Sequence, residues 1–277
     1  MCLALGLALG GQGTSHAQST TGEQGDQGEH DDERHETDVA PRSLPAAENL
    51  PEHDGMVRVP AGRFWYGGRG VKDSGREQSV SSFWLDRTEV TVGAYRACVA
   101  AGSCALPARS SPYCSFTLGD DRLPISCVRH AAAAAFCRQR GARLPTEMEW
   151  EYAAKGRTER TYPWGEGRPM CQVAATLRSD RTAKSCTGAR PAAVGTHPLG
   201  RSPFGIEDLA GNLEEWTADF WAEPLPLSPP QSGASHVLRG GSWLLGPAYA
   251  RTTARSAGSA LEAGPGVGFR CAKAADG

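Results

Sequence analysis

Eight cysteines lie between Cys98 and Cys271, and that even set constrains the fold of this 277-residue chain more than any other feature of it. Paired in an oxidising compartment, they would staple a scaffold that then needs neither long helices nor long strands. The 34 glycines, 19 prolines and 7 tryptophans agree, since they favour turns, irregular backbone and large aromatic anchors. Zinc is the competing use of so many thiols. It calls for closely spaced ligand pairs, yet no Cys-x-x-Cys occurs and few histidines accompany the cysteines. Spacing alone does not decide connectivity. Cys98 and Cys104 bracket the end of a helical pattern and Cys171 and Cys186 bracket a turn-rich insertion, so local bridges are geometrically reasonable there.

The ninth cysteine, Cys2, belongs to a different kind of segment. Residues 3–9 are apolar, Gly10 and Gly11 break the run, and Ser15-His16-Ala17 sets small residues where a signal peptidase reads, so residues 1–17 read as a signal peptide. The run is too short to span a bilayer. Residues 18–53 change to Gly, Gln, Asp, Glu and His with almost no aliphatic side chains, the composition of a disordered acidic linker. His30, His35 and His53 sit among its carboxylates, where a solvated tether is the commoner arrangement than a metal site. A secreted or periplasmic protein is therefore expected, with its globular domain at 54–277. With 29 basic against 31 acidic side chains there is no field to gather nucleic acid or an anionic membrane.

Within the domain, residues 56–60 and 62–67 alternate around Pro60-Ala61-Gly62 and predict a hairpin, and residues 80–85 predict a further strand. Thr91 has N-cap chemistry, Val92, Tyr95 and Val99 form an apolar stripe, and Gly102 marks the end of that helix. A second helix is expected over 130–140, where an alanine run supplies propensity and Gly141 stops it. Thr146 and Glu149 after Pro145 make a capping box for a third, short helix ending before Gly156. Residues 162–165, 202–205 and 224–230 read as turn and loop, and 237–239 and 267–271 as strands closing a small sheet. The sum is an α+β domain of short elements. Catalytic motifs are poor: there is no Gly-x-Ser-x-Gly elbow, no His-Glu-x-x-His and no phosphate-binding glycine loop, and His130, His197 and His236 fall at a helix start and in loops.

Four segments carry a resemblance. Arg143-Leu144-Pro145-Thr146-Glu147, Gly211-Asn212-Leu213-Glu214-Glu215-Trp216, Arg239-Gly240-Gly241-Ser242-Trp243 and Gly268-Phe269-Arg270-Cys271 occur in that order, and through them residues 54–277 resemble the formylglycine-generating enzyme, or sulfatase-modifying factor, family. The resemblance implies a loop-rich α+β fold related to C-type lectins. It also places cysteines at positions 137 and 271 and joins them, which makes Cys271 structural; Cys114 and Cys127 are then left to each other by elimination.

The family's oxidases convert a sulfatase cysteine to an aldehyde with copper held by two thiolates, soft donors suited to cuprous ion. Aligned through Trp243 and Tyr249, those two positions fall on Leu245 and Ala250, and no cysteine occurs between Gly240 and Cys271. An aromatic neighbour of the oxidase site is Glu214 here. Ser242 and Tyr249 match other neighbours, and a buried hydroxyl bonded to backbone accounts for each. The expectation is a vestigial site at Ser242, Leu245, Tyr249 and Ala250, no copper, and a role as a pseudoenzyme that binds a protein, peptide or glycan. The competing readings are a formylglycine-generating oxidoreductase or a relative with altered chemistry, and a structural envelope protein. Calcium is implied at the side chains of Asp208 and Glu215 with the carbonyls of Gly211 and Leu213, an oxygen-only set of the kind that ion takes. A second family calcium site calls for an asparagine near Ala175, which this chain lacks. A sulfoxide-forming branch of the superfamily holds iron with three histidines in an additional helical domain, absent here.

Overall fold

Strand β1 (Glu52–His53) begins two residues before the expected end of the acidic linker, so ordered backbone starts slightly earlier than composition suggests. The computed structural model describes residues 50–68, 75–178 and 184–275; the leader and most of the linker lie outside them. After β1 come β2 (Met56–Val59), β3 (Gly62–Tyr66), β4 (Arg76–Val80), β5 (Phe83–Asp86), helices α1 (Val92–Ala100), α2 (His130–Gln139) and α3 (Glu147–Lys155), then β6 (Glu214–Phe220), β7 (Ser235–Arg239), β8 (Arg255–Ser259), β9 (Val267–Gly268) and β10 (Ala272–Ala274). Three sheets result, in the orders β1-β2-β5-β10, β3-β4 and β8-β7-β6-β9. The fold is α+β, as expected.

The first sheet sits between two cores because its strands alternate. Val57, Val59, Phe83 and Leu85 point to one side and pack with Trp150 and Tyr152 of α3. Met56 points to the other, into a core built on Tyr95 of α1 and Phe136 and Cys137 of α2, with Trp84 against it. Tyr95 and Phe136 stack at 5.5 Å. The second core is closed by a disulfide instead of a long element. Cys137 in α2 bonds Cys271 just before β10 across 134 residues, while Cys98–Cys104, Cys114–Cys127 and Cys171–Cys186 close short loops of 6, 13 and 15. The two local bridges, the eliminated pair and the family-implied pair are all present.

The helices begin where local chemistry placed them. Thr91 Oγ1 accepts from the Ala94 amide, and Thr146 and Glu149 form both halves of the capping box. Arg143 adds a fork onto Glu149 at 2.6 and 2.7 Å. Gly141 and Gly156 take φ of 66° and 70°, left-handed values that end α2 and α3.

The strands differ more. Residues 56–60 and 62–67 do not pair with each other: β2 joins β1 and β5, whereas β3 pairs only with β4. Alternation sets which side chains share a face but not which strand lies alongside, and Pro60 directs the chain from one sheet to the next. The strand expected at 80–85 splits at Ser81-Ser82 for the same reason, its halves serving different sheets. Of the closing strand expected at 267–271, only Val267–Gly268 is strand, β9 beside β6; β10, beside β5, begins after it at Ala272. No helix among the described residues is long and apolar enough to cross a membrane.

Candidate functional site

The segment from Asp208 to Trp216 lies at the meeting point of the three sequence motifs that follow the helices. Asp208, Gly211 and Asn212 take left-handed φ of 59°, 78° and 60°. A side chain is awkward there, and a glycine at 211 is required for a second reason: an added Cβ would lie 2.4 Å from the carbonyl oxygen of Ala175. The turn is tied on both sides, Gly211 N–H to the Gly240 carbonyl and the Trp243 N–H to the Asn212 carbonyl, at 2.8 and 3.0 Å.

Beneath the turn is a buried polar network. Glu215 accepts from Arg270 Nε and Nη2, both at 2.7 Å, and from Trp150 Nε1 at 2.9 Å. Arg270 spends its three other N–H groups on the carbonyls of Asp86, Arg87 and Glu207. Glu89, just before α1, accepts from Asn212 Nδ2 and the Leu213 amide at 2.7 and 2.9 Å. Asp208 accepts from the Gly195 amide at 2.7 Å. Three buried carboxylates thus surround one guanidinium. Burial, followed by the charges of Asp208 and Glu215, pushes the Glu89 carboxyl well above its ordinary range; burial likewise pushes Asp208 up to about 6.

The expected calcium set is only partly free for a cation. Glu215 is the partner of Arg270, and among the described residues no three His, Cys, Asp or Glu side chains are grouped to hold a metal ion. What fits a hard cation is the surplus of buried negative charge beside an oxygen-rich turn, most of whose donors would be backbone carbonyls. Glu89 lies outside the four motifs, and Asn212 and Arg270 lie inside them without a role that their sequence context assigns. Their only signal was one acid, Glu89, set between the apolar Leu85 and Val90–Val92 positions, and the arginine inside the Gly-Phe-Arg-Cys segment.

The loop after β7 holds Ser242, Leu245, Tyr249 and Ala250, the four positions where a vestigial site is expected. Gly240 and Gly241 have φ of 94° and 68°, and a Cβ on Gly241 would lie 2.8 Å from the backbone of Tyr249, so the loop folds tightly onto itself. Ser242 is buried, its hydroxyl facing the Leu244 amide at 3.4 Å. Ala250 is fully buried beside Tyr162 and Trp164, which stack at 5.0 Å, and Leu245 is half-buried. Tyr249 departs from the expectation of a buried hydroxyl: it is 49% exposed. Only the small Ser242 side chain fits inside the turn, and the phenol is turned out to solvent. Leu244 is exposed as well, and Tyr113 stands edge-on to Trp243 at 6.3 Å, 47% exposed. All eight cysteines of the described residues are in disulfides. No thiolate pair is left for cuprous ion, so the donors here do not fit a copper centre.

The sequence pattern of the Sulfatase-modifying factor enzyme 1-like domain matches residues 41–275. The chain belongs to that family. Among curated proteins, the sulfatase-modifying-factor-like chain is 37% identical over 169 residues to the formylglycine-generating enzyme of Mycobacterium tuberculosis, covering 53% of this chain and 56% of that one. It is 36% identical over 163 residues to the inactive C-alpha-formylglycine-generating enzyme 2 of Mus musculus, covering 55% and 50%. The chain spans about half the length of the curated relatives it matches. The structure of PvdO from Pseudomonas aeruginosa superposes with a TM-score of 0.67 at 23% identity, over 79% of this chain and 94% of that one, and shares the fold.

Proposed function

We propose that this sulfatase-modifying-factor-like chain is an exported binding module that does not oxidise cysteine through copper, and that it engages a protein or peptide segment at the loop of residues 240–250. The observation carrying this reading is that no cysteine stands between Gly240 and Cys271, where the resemblance assigns the thiolate positions to Leu245 and Ala250, while every cysteine of the described domain is locked in a disulfide. Two aromatic rings and a leucine at that loop, Tyr113, Tyr249 and Leu244, offer apolar surface to solvent where a catalytic centre would offer metal ligands. That a mouse relative of similar identity bears the name of an inactive enzyme supports loss of chemistry within this family. The four disulfides and the signal-like leader support export.

Calcium is the ion we assign to the Asp208 turn, with Asp208 and the carbonyls of Gly211 and Leu213 as donors and Glu215 shared with Arg270. When bound, it would offset the surplus carboxylate charge and hold the turn. Its role in this reading is structural.

The test is to incubate the oxidised protein with copper, oxygen and a Cys-x-Pro-x-Arg peptide and follow the mass loss that accompanies aldehyde formation. No turnover beyond a copper-only control is expected. Turnover above it would restore the competing reading of a formylglycine-generating oxidoreductase. Calcium is tested by melting the protein with and without chelator: a lower midpoint with chelator and calcium found by elemental analysis are expected, and no change in either removes the ion.

A further inference from the structure

A second site lies on the first sheet, away from the loop at 240–250. Arg58, Trp84 and Lys273 are direct cross-strand neighbours on β2, β5 and β10, so their side chains leave the same face in one row with the indole in the middle. The face opens into a cleft of about 550 Å³, within the size range of small-ligand sites, lined by His53, Asp54, Met56, Trp84, Arg140 and Lys273. Trp84 rests against the core around Tyr95 on one side and is half-buried, which fixes the ring and leaves part of it to the cleft.

The walls are as well defined as the floor. Arg140 at the end of α2 is held by Asp86 through two bonds of 2.8 and 2.9 Å, and Asp86 is held in turn by the Cys271 amide. His53 meets Trp84 edge-on at 6.3 Å and lies 3.1 Å from the Asp54 carboxylate. Arg58 and Lys273 form no ion pair among the described residues, and neither stacks its cation on Trp84. Within the cleft Arg140 is answered by Asp86 and, in net charge, Lys273 by Asp54; Arg58, the other neighbour of Trp84 in the row and outside the cleft lining, supplies one positive charge in excess at its edge.

We propose that this cleft binds an acidic sugar ring, a pyranose bearing a carboxylate or a sulfate. Such a ring has an apolar face to lie on Trp84, hydroxyls for Asp54 and His53, and one negative charge for the surplus cation between Lys273 and Arg58. A neutral sugar would leave that cation unanswered. A multiply phosphorylated ligand would bring more charge than the cleft balances, and Asp54 would oppose it. The proposal does not depend on how the 240–250 loop is used, since none of its residues belongs to that loop.

The full-length protein is titrated calorimetrically with trigalacturonate, with a κ-carrageenan tetrasaccharide, which bears one sulfate per disaccharide and no carboxylate, and with maltotriose. Binding of at least one acidic oligosaccharide and none of maltotriose is expected, weakening at higher ionic strength; which acidic probe binds tells carboxylate from sulfate. Lys273 is exposed and outside both cores, so Lys273→Glu should keep the melting temperature and weaken binding about tenfold or more, equivalent to about 1.4 kcal/mol. Trp84→Ala should remove binding. Equal binding of maltotriose, no binding of either acidic probe, or a well-folded Lys273→Glu protein that binds unchanged would each overturn the assignment. Peptide binding by the 240–250 loop should be unaltered in Lys273→Glu, which separates failure of this site from failure of that one.

Discussion

His130 and His236 should make this domain sensitive to mild acid. His130 at the start of α2 lies face to face with His236 of β7, with centroids 3.4 Å apart and planes 8° from parallel, and Phe220 stacks on the far side of His236 at 4.3 Å. His130 Nε2 meets the Thr217 carbonyl at 2.9 Å and His236 Nδ1 the Asp219 carbonyl at 3.2 Å, so each ring has an acceptor for one N–H while neutral. Charging both rings would set two cations in contact. Burial first, and then His236, pull His130 down from 6.5 to about 4, and burial also lowers His236. The unfolded chain takes up protons below about pH 6.5 and the folded one does not until near pH 4, so the unfolded state holds more protons in that window and stability rises with pH. The contribution is fully present above about pH 7 and is lost as the pH falls towards 4.

A drop from 6.5 to about 4 corresponds to at most about 3 kcal/mol. Water at the partly exposed edge of His130 screens it, leaving about 1.5 kcal/mol. His130→Phe keeps a ring in the stack and removes the titration, at a pH-independent cost of about 1 kcal/mol for the bond to Thr217. Urea unfolding of both proteins at several pH values between 7.5 and 4.5 measures the difference, in which carboxylates common to both cancel. Wild type should be the more stable at pH 7.5, and the gap should close or reverse by about 1.5 kcal/mol at pH 4.5. A gap that stays constant, or a His130 ring that titrates near 6.5 in the folded protein by NMR, would refute the reasoning.

Replacing both Cys137 and Cys271 by serine frees a closure of 134 residues and should cost about 5 kcal/mol by chain entropy, read as a fall in urea midpoint. Glu215→Leu strands the fully buried Arg270 and should destabilise by about 3–5 kcal/mol, whereas Glu215→Leu with Arg270→Met should recover part of that loss in the same assay. Thr146→Ala removes the cap from α3 and should cost about 1 kcal/mol without altering ligand binding. Gly241→Ala forces a side chain into a left-handed position against Tyr249 and should lower stability by about 1–3 kcal/mol.

What could be read from the sequence was what is decided within a few residues. The capping box at Thr146 and Glu149 is complete in four positions, and Gly141 and Gly156 act through their own φ, so α2 and α3 stand close to where they were expected. The bridges Cys98–Cys104 and Cys171–Cys186 are local in the same way. β6 was hidden because Glu214 and Glu215 look like a solvated turn until Arg270, 55 residues on, neutralises Glu215. Glu89 carries no local signal for the same reason, its partners Asn212 and Leu213 lying 123 and 124 residues away. Tyr249 was misjudged because a matched position carries no information about which way a loop turns its side chains.

The bridge between Cys137 and Cys271 also bears on how the domain matures. During synthesis the Cys137 thiol exists for 134 residues before its partner is made, and Cys171 and Cys186 are made in that interval as wrong partners. Phe136 stacks on Tyr95 of α1, but the core that buries the neighbouring Cys137 is completed by Trp216, Leu238 and Phe269, so the thiol is enclosed only when the C-terminal segment packs. Closure of that core and formation of the Cys137–Cys271 bond are therefore one event at the end of the chain. A lesion there, such as loss of the fully buried Tyr95 ring, would surface as scrambled bridges as well as lower stability of the finished protein.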